Sequence, residues 1–310
     1  MNDRPSQLDR VEDRTPSAIL ALAISHSGGK RRMSADGEPT RLGSPATTRP
    51  QLFDHSRIDV LGVRISPVSM AEASTAIERC VLEKRQTYVC VTGAHGIMES
   101  RRSELLRDIH NRAVLVVPDG MPLVWFAQWS GASSVERVYG PDLMRTVTAV
   151  SEIRGYRQFY YGGAEGVVDR LKEALLRRHP NLRIAGAMTP PFREITAQED
   201  EAQVREINAA RPDILWIGLS TPKQELWMAA HLGRIDAPVM IGVGAAFDFL
   251  AGTKRQAPCW MQRSGLEWLF RLLTEPRRLW RRYLYIVPGF AFLVIGRLAL
   301  RGVRRVRMVR

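Results

Sequence analysis

The chain has 310 residues and a formal net charge of +13. This length allows one sizeable core with appendages, and a composition of 45% hydrophobic and 7% aromatic residues is ordinary for a globular α/β protein. Twelve of its arginines fall in residues 263–310, together with two glutamates and no lysine. Because arginine binds phosphate and aromatic side chains favour the membrane–water boundary, this segment favours an anionic, apolar surface over duplex DNA.

Residues 1–55 lack a sustained hydrophobic period and are predicted to be a disordered extension. The rest of the chain alternates between short apolar strands and amphipathic helices. The predicted strands are 58–65 (a strand or a hairpin), 87–92, 114–117, 158–161, 183–187, 214–217 and 239–243. The predicted helices are 70–83, 97–111, 122–129, 142–153, 165–178, 198–210 and 223–232. This alternation predicts an α/β fold with a Rossmann-like, mostly parallel sheet and helices on both faces.

We divide the chain into the extension 1–55, an α/β domain at 56–262, and a helical, arginine-rich and partly apolar appendage at 263–310. The apolar run Tyr283–Ile295 has 13 residues, against about 20 needed to span a bilayer, and Pro288 and Gly289 are expected to interrupt it. We predict that this run lies in the membrane interface with its arginines toward anionic headgroups. A C-terminal helix packed on the domain is the alternative.

Ligands of parallel sheets bind beyond the carboxyl ends of the strands. Five loops should therefore form one rim, and they begin at Thr92, Asp119, Gly162, Gly218 and Gly244. Gly162 and Gly163 would let backbone amides approach a phosphate, although a tight turn explains them equally well.

Lys223 and Gln224 fall in the first turn of the helix that follows another strand. A cation and an amide at that position suit a diphosphate and a sugar or base. Thr221 is expected to cap this helix, and Glu225 is interpreted as a capping residue that gains from the helix dipole.

A carboxylate at a strand end, Asp119, could act as a base on a hydroxyl nucleophile, although Asp-Gly is also common in turns. Thr92 and His95 lie in a neighbouring loop, and a structural role explains His95 equally well. The sequence has no DxD, no HExxH and no Cys/His cluster, so neither a metal nor a cofactor is predicted. Arginines and helix dipoles would then neutralise a leaving diphosphate.

Several short motifs follow one another in a fixed order. They are the Thr92 loop, 118–120 (PDG), 137–143 (RVYGPDL), 161–163 (YGG), 218–227 (GLSTPKQELW), 242–248 (GVGAAFD), 266–271 (LEWLFR) and the arginine-rich run 275–282. Together they resemble the WecG/TagA/CpsF-type glycosyltransferases from about residue 59 to residue 282.

The resemblance implies a metal-independent, inverting transfer of a sugar, often N-acetylmannosamine, from a UDP-sugar to a polyprenyl-diphosphate-linked saccharide. It also implies a role in bacterial exopolysaccharide or cell-envelope polysaccharide synthesis, at the cytoplasmic face of the inner membrane, with an anionic membrane surface as a partner. Asp119 would be the general base, and the C-terminal arginines would close over the site and hold lipid diphosphate. The residues assigned to substrate binding are Thr92, His95, Arg137, Asp142, Gly162, Gly163, Lys223, Gln224, Arg271, Arg278 and Arg281.

One position departs from the pattern of these glycosyltransferases. They commonly have Asn two residues after the Thr of the first loop, whereas this chain has Ala94, and His95 is expected to substitute for the missing amide. The donor sugar therefore stays open. Two other classes also stay open: a nucleic-acid-binding protein that uses the basic tail, and a nucleotide-dependent oxidoreductase, which the absence of GxGxxG weakens. Nucleic acid is not the expected partner.

Overall fold

The computed structural model describes residues 57–307, with side chains to residue 297. The predicted extension, 1–55, lies outside the described residues. The strands are β1 (Ile58–Val60), β2 (Val63–Ile65), β3 (Thr87–Thr92), β4 (Leu115–Pro118), β5 (Arg157–Gly162), β6 (Arg183–Met188), β7 (Ile214–Gly218) and β8 (Val239–Gly242).

The helices fall between the strands and after the last one. They are α1 (Met70–Leu82), α2 (Ala94–Arg102), α3 (Glu104–Arg112), α4 (Met121–Trp129), α5 (Gly140–Arg154), α6 (Val167–Arg178), α7 (Ala197–Ala209), α8 (Lys223–His231), α9 (Ala246–Leu250), α10 (Cys259–Arg263), α11 (Glu267–Thr274) and α12 (Pro276–Arg307).

Six strands form one sheet in the order β4–β3–β8–β7–β5–β6, and every neighbouring pair is parallel. The mostly parallel sheet predicted from the sequence is thus confirmed. The predicted strand or hairpin at 58–65 is a hairpin, in which Val60 pairs with Val63. Since all six strands run the same way, the loops after β3, β4, β5, β7 and β8 meet at one edge of the sheet, which we call the rim.

The sheet separates two apolar layers, because successive side chains of a strand point to opposite faces. Along β3, Tyr88 and Cys90 belong to one buried cluster, and Val89 and Val91 belong to the other. Helices cover both faces, so the strands are apolar throughout rather than alternating. The fold class inferred from the sequence is therefore confirmed.

One helix that the sequence predicts as continuous is broken in the structure. The expected helix 97–111 is two helices, because Ser103 adopts an extended backbone that ends α2 and caps α3. Its side chain accepts a hydrogen bond from the N–H of Leu106 at 3.2 Å. The hydrophobic period continues across this break, which is why the sequence pattern did not reveal it.

Pro288 interrupts the apolar run in the sequence but not the helix, since α12 continues from Pro276 to Arg307 with Pro288 inside it. Proline leaves the carbonyl four residues earlier without its helical partner, here that of Leu284. Leu284 is 69% exposed, so water can satisfy this carbonyl. On the opposite face Ile286 and Phe290 are buried, and their packing holds the helix together on both sides of the proline. No helix within residues 57–307 combines the length and apolarity needed to cross a membrane.

Candidate active site at the rim

Asp119 follows β4 and is held by the two neighbouring elements. Its backbone N–H donates to the carbonyl oxygen of Thr92 at 3.0 Å, and its Oδ1 accepts from the backbone N–H of Gly140 at 3.0 Å. Gly140 is the first residue of α5, so the carboxylate lies at the positive end of a helix dipole. The other oxygen, Oδ2, makes no hydrogen bond to any residue in the range 57–307, and it lies on the side of Gly93.

Thr92 lies beneath the rim rather than on it. The side chain is buried, and its hydroxyl is 3.0 Å from Nε2 of His110. Nδ1 of the same ring is 2.9 Å from the carbonyl oxygen of Leu106, which can only accept. In the neutral ring Nε2 is therefore the acceptor, and the Thr92 hydroxyl donates to it. This bond fixes the floor beneath Asp119.

Arg137 links the base loop to the C-terminal appendage. Its Nε donates to the backbone carbonyl of Asp119, and its Nη1 donates to Oε1 of Gln262 at 3.1 Å. Its Nη2 forms an ion pair with Glu267, and the guanidinium lies over the ring of Tyr139 at 4.0 Å from the centroid. Arg137 thus touches the loop of the candidate base, with three of its nitrogens already bonded to protein.

A cluster of cations surrounds His95 at the start of α2. Nδ1 of His95 accepts from Nη2 of Arg282 at 2.9 Å. Burial, followed by the positive charges of Arg282, Arg271 and Arg102, lowers the pKa of His95 from 6.5 to about 3. The ring is therefore neutral at physiological pH, with its remaining proton on Nε2.

The arginines of the appendage carry unused hydrogen-bond donors. The Nε groups of Arg271 and Arg278 are buried and have no partner among residues 57–307, and the guanidinium of Arg271 makes no hydrogen bond there. Arg278 pairs with Glu275 at 2.7 Å. Since a buried donor without a partner is costly, these groups are suited to receive an anionic ligand.

Gly162 and Gly163 have left-handed backbones, with φ of +122° and +76°. A Cβ on Gly162 would lie 2.7 Å from the backbone of Gly218, and the Gly163 N–H donates to the Gly218 carbonyl at 3.1 Å. Close approach of the ends of β5 and β7 therefore accounts for both glycines, which is the tight-turn explanation. Their contact with substrate stays a prediction.

Gln224 bridges the loops that follow β7 and β8. It is buried, its Oε1 accepts from the Gly244 N–H at 2.9 Å, and its Nε2 donates to Oε1 of Glu225 at 3.1 Å. The expected capping roles of Thr221 and Glu225 are wrong. The N-cap of α8 is Pro222, without a side-chain bond, and the Thr221 hydroxyl donates to the fully buried Glu225 at 2.8 Å.

The remaining predicted residues are exposed. Lys223 begins α8 on the surface, and Asp142 pairs with Arg145 at 2.7 Å on the surface of α5. Arg281 is exposed and lies over the ring of Trp280, whereas its neighbour Arg282 reaches His95. The structure thus brings together Asp119, Thr92 and Arg137 and, in the cationic cluster, His95 and Arg271. It leaves Lys223, Asp142 and Arg281 on the surface.

Three residues at the site were not identified from the sequence. The sequence predicts Arg281 in place of Arg282, although a helix beginning at Pro276 would place residues 278 and 282 on one side. Glu267 has no role of its own in the motif 266–271, and His110 lies beyond a helix break that the sequence pattern does not show. Within residues 57–307, His, Cys, Asp and Glu side chains form no group of three or more that could hold a metal ion.

A parallel α/β sheet with a carboxylate at its rim and unpartnered arginine donors beside it is suited to an enzyme that acts on an anionic substrate. A profile of the glycosyl transferase WecG/TagA/CpsF family matches residues 58–304, and the chain belongs to this family of glycosyltransferases. The match extends well beyond residue 282, where the sequence motifs were expected to end, and it includes most of α12.

Two bacterial relatives carry the same name, N-acetylglucosaminyldiphosphoundecaprenol N-acetyl-beta-D-mannosaminyltransferase. The protein of Staphylococcus aureus (strain NCTC 8325 / PS 47) is 25% identical over 241 residues, which cover 77% of this chain and 92% of the relative. The protein of Bacillus subtilis (strain 168) is 29% identical over 188 residues, which cover 61% of this chain and 71% of the relative. Membership of a glycosyltransferase family favours this function over nucleic-acid binding and oxidoreduction.

Proposed function

We propose that the protein transfers a sugar from a UDP-sugar to a saccharide linked to polyprenyl diphosphate, with inversion at the anomeric carbon. The observation that carries this proposal is the carboxylate of Asp119. One of its oxygens is fixed by the N-terminus of α5, and the other makes no hydrogen bond to residues 57–307. A positioned carboxylate with a free oxygen is what a general base on a hydroxyl requires.

In the proposed reaction Asp119 takes the proton of the acceptor hydroxyl as the hydroxyl oxygen bonds to the anomeric carbon of the donor. The bond from that carbon to the diphosphate breaks, and UDP leaves with the electron pair. A single displacement inverts the anomeric configuration. Arg271 and Arg278 would hold the lipid-linked diphosphate of the acceptor through their unpartnered Nε groups. The positive ends of the helix dipoles at the rim would neutralise the leaving diphosphate of UDP, without requiring a divalent ion.

The names of the two relatives support N-acetylmannosamine as the donor sugar and a diphosphoundecaprenol-linked N-acetylglucosamine as the acceptor. Ala94 stands where an amide is common in the family, and the neutral His95 beside it offers one N–H donor, on Nε2. We propose that His95 takes over the amide's contact with sugar or acceptor.

The test is a screen of UDP-sugars against a short polyprenyl-diphosphate saccharide, with EDTA present throughout. We expect transfer with at least one UDP-N-acetylhexosamine and no loss of rate in EDTA. The Asp119→Asn variant should turn over about a thousandfold more slowly and still bind UDP, because the amide cannot accept the proton but preserves the shape. A near-wild-type rate in this variant would refute the base assignment, and dependence of the rate on Mg²⁺ would refute metal independence.

We further propose that the enzyme binds the cytoplasmic face of the membrane through the outer face of α12. Exposed apolar side chains on this face include Leu284 at 69%, Phe292 at 78% and Ile295 at 65%. Arg277 and Arg281 flank them at the N-terminal end of the helix and are exposed. An apolar strip beside cations is suited to an anionic lipid surface.

A further inference from the structure

Helix α11, Glu267–Thr274, has no buried residue, unlike the helices that pack on the sheet. Its apolar side chains Trp268, Leu269, Phe270 and Leu272 are only partly buried, so the contacts of its polar side chains weigh more in its position than they do for a core helix. α11 also carries Arg271, one of the arginines with an unpartnered buried Nε. The position of α11 thus decides where this cation lies.

The contacts that hold the start of α11 converge on Glu267. One carboxylate oxygen forms the ion pair with Nη2 of Arg137, and the other accepts from the hydroxyl of Tyr139 at 3.2 Å. The Glu267 and Arg137 side chains are only 19% and 13% exposed. A charge-assisted pair with so little solvent contact is screened much less than a surface pair.

Arg137 extends this contact to the base. The same guanidinium donates to the backbone carbonyl of Asp119, to Gln262 of α10 and to Glu267 of α11. The guanidinium spreads its donors over three nitrogens and can hold three acceptors that lie apart, whereas the three donors of a lysine all lie on one nitrogen. Burial raises the pKa of Glu267, as does the nearby charge of Asp119, while Arg137 opposes the shift.

We propose that Glu267 is a positioning residue, and that its pair with Arg137 is a latch that fixes α11 and Arg271 beside Asp119. Arg137 acts in this latch rather than as a direct ligand of the substrate. Arg271 lies one helical turn after Glu267 and is held toward the cationic cluster at His95, where the lipid-linked diphosphate would bind. This inference rests on the proposed function for the identity of that diphosphate, but the latch itself does not.

The test compares Glu267→Gln, Arg137→Lys and the double variant with Glu78→Gln as the matched control. Glu78 pairs with Arg154 at 2.7 Å between α1 and α5, so its loss removes an ion pair between elements on another part of the surface. We expect Glu267→Gln to raise the KM for the lipid-linked acceptor about tenfold and to change the KM for the UDP-sugar less than about twofold. The double variant should be no worse than the poorer single variant, because both substitutions open one latch.

Hydrogen exchange provides a readout that does not need turnover. Amides of residues 266–275 should exchange faster in Glu267→Gln than in the wild-type protein or in Glu78→Gln, and UDP binding should persist. Unchanged exchange in this segment would overturn the latch. An additive loss in the double variant would also overturn it, since Arg137 would then contact substrate independently. Failure of every UDP-sugar to react would refute the proposed function. The hydrogen-exchange comparison would still test the latch, because it does not require turnover.

Discussion

His95 is a histidine that the structure keeps neutral by its position. Its Nδ1 accepts from Arg282, and Arg271 and Arg102 add positive charge, so a proton on the ring would be repelled. A histidine with a pKa near its ordinary value would be protonated at mildly acidic pH, and its positive charge would then repel the arginines of this cluster. The neutral ring instead orients Arg282 and offers one N–H donor to the site.

This environment predicts how stability depends on pH. The unfolded chain takes up a proton at His95 below pH 6.5, whereas the folded chain does so only near pH 3, so folded-state stability falls as the pH drops through this window. Between pH 7.5 and pH 5 this one group should cost about 2 kcal/mol. His95→Gln keeps an acceptor for Arg282 and should reduce the loss by that amount, as measured by urea unfolding at the two pH values. Equal losses in the two proteins would show that the ring is not protected from protonation.

At the scale of single residues, the sequence predicted the types of residue at the candidate site, but it did not predict which side chains they contact. The carboxylate Asp119 could be found because Asp-Gly ends a short buried strand. Arg282 could not be distinguished from Arg281 without the start of α12, because one residue turns a helical side chain by about 100°. The latch through Glu267 joins residues 130 positions apart, and local pattern carries no information about such pairs.

Helix α12 illustrates how one element serves two environments. Its inner face buries Leu279, Tyr283, Ile286, Phe290 and Val294, which repeat at helical spacing. This face packs against α2, and Arg297 pairs with Asp59 of the hairpin at the far end. The outer face is also apolar, so the run at 283–295 places apolar side chains on both faces of the helix. One face of the helix thus packs on the domain, as the alternative interpretation of the tail expects, and the membrane contact of the other face stays a prediction.

Two phenylalanines, Phe290 on the inner face and Phe292 on the outer face, allow the packing of the two faces of α12 to be compared. Phe290 is 5% exposed and Phe292 is 78% exposed, so the same substitution at each removes the same atoms from different surroundings. Phe290→Ala should reduce the free energy of unfolding by about 3 kcal/mol, because it leaves a cavity against α2. Phe292→Ala should change it by less than about 0.5 kcal/mol. Thermal or urea unfolding in detergent-free buffer checks both values, and similar losses would show that α12 is not packed on this face.

The whole molecule combines the candidate site at the rim and the outer face of α12, which we propose for attachment, within one chain of charge +13. The α/β order was predictable because strand and helix periods differ and the short strands are apolar throughout. The rim was predictable because parallel strands bring their carboxyl ends to one edge. The placement of the C-terminal appendage could not be predicted, because it depends on polar contacts between segments that are distant in the sequence. Of these, Arg137 with Glu267 and Arg282 with His95 are the closest to the site.

Because the outer face of α12 and the rim are different surfaces, we expect substitutions on the outer face to abolish membrane binding without abolishing sugar transfer. Leu284→Glu combined with Phe292→Glu places carboxylates on the outer face of α12 and should abolish sedimentation with phosphatidylglycerol vesicles, because charge in the interface is costly and repels anionic lipid. The rate on an acceptor embedded in those vesicles should fall more than about tenfold, while the rate on a short water-soluble acceptor should stay within about twofold.

The surface substitution Leu82→Glu combined with Ile153→Glu provides the matched control. Both side chains are exposed apolar residues, at 68% and 84%, on helices of the α/β domain. This control adds the same two negative charges, so it accounts for the change in net charge alone. If it releases the protein from vesicles as fully as the α12 variant does, attachment is a matter of overall charge and not of the outer face. If the α12 variant loses activity on the soluble acceptor as well, that face contributes to the chemical site itself.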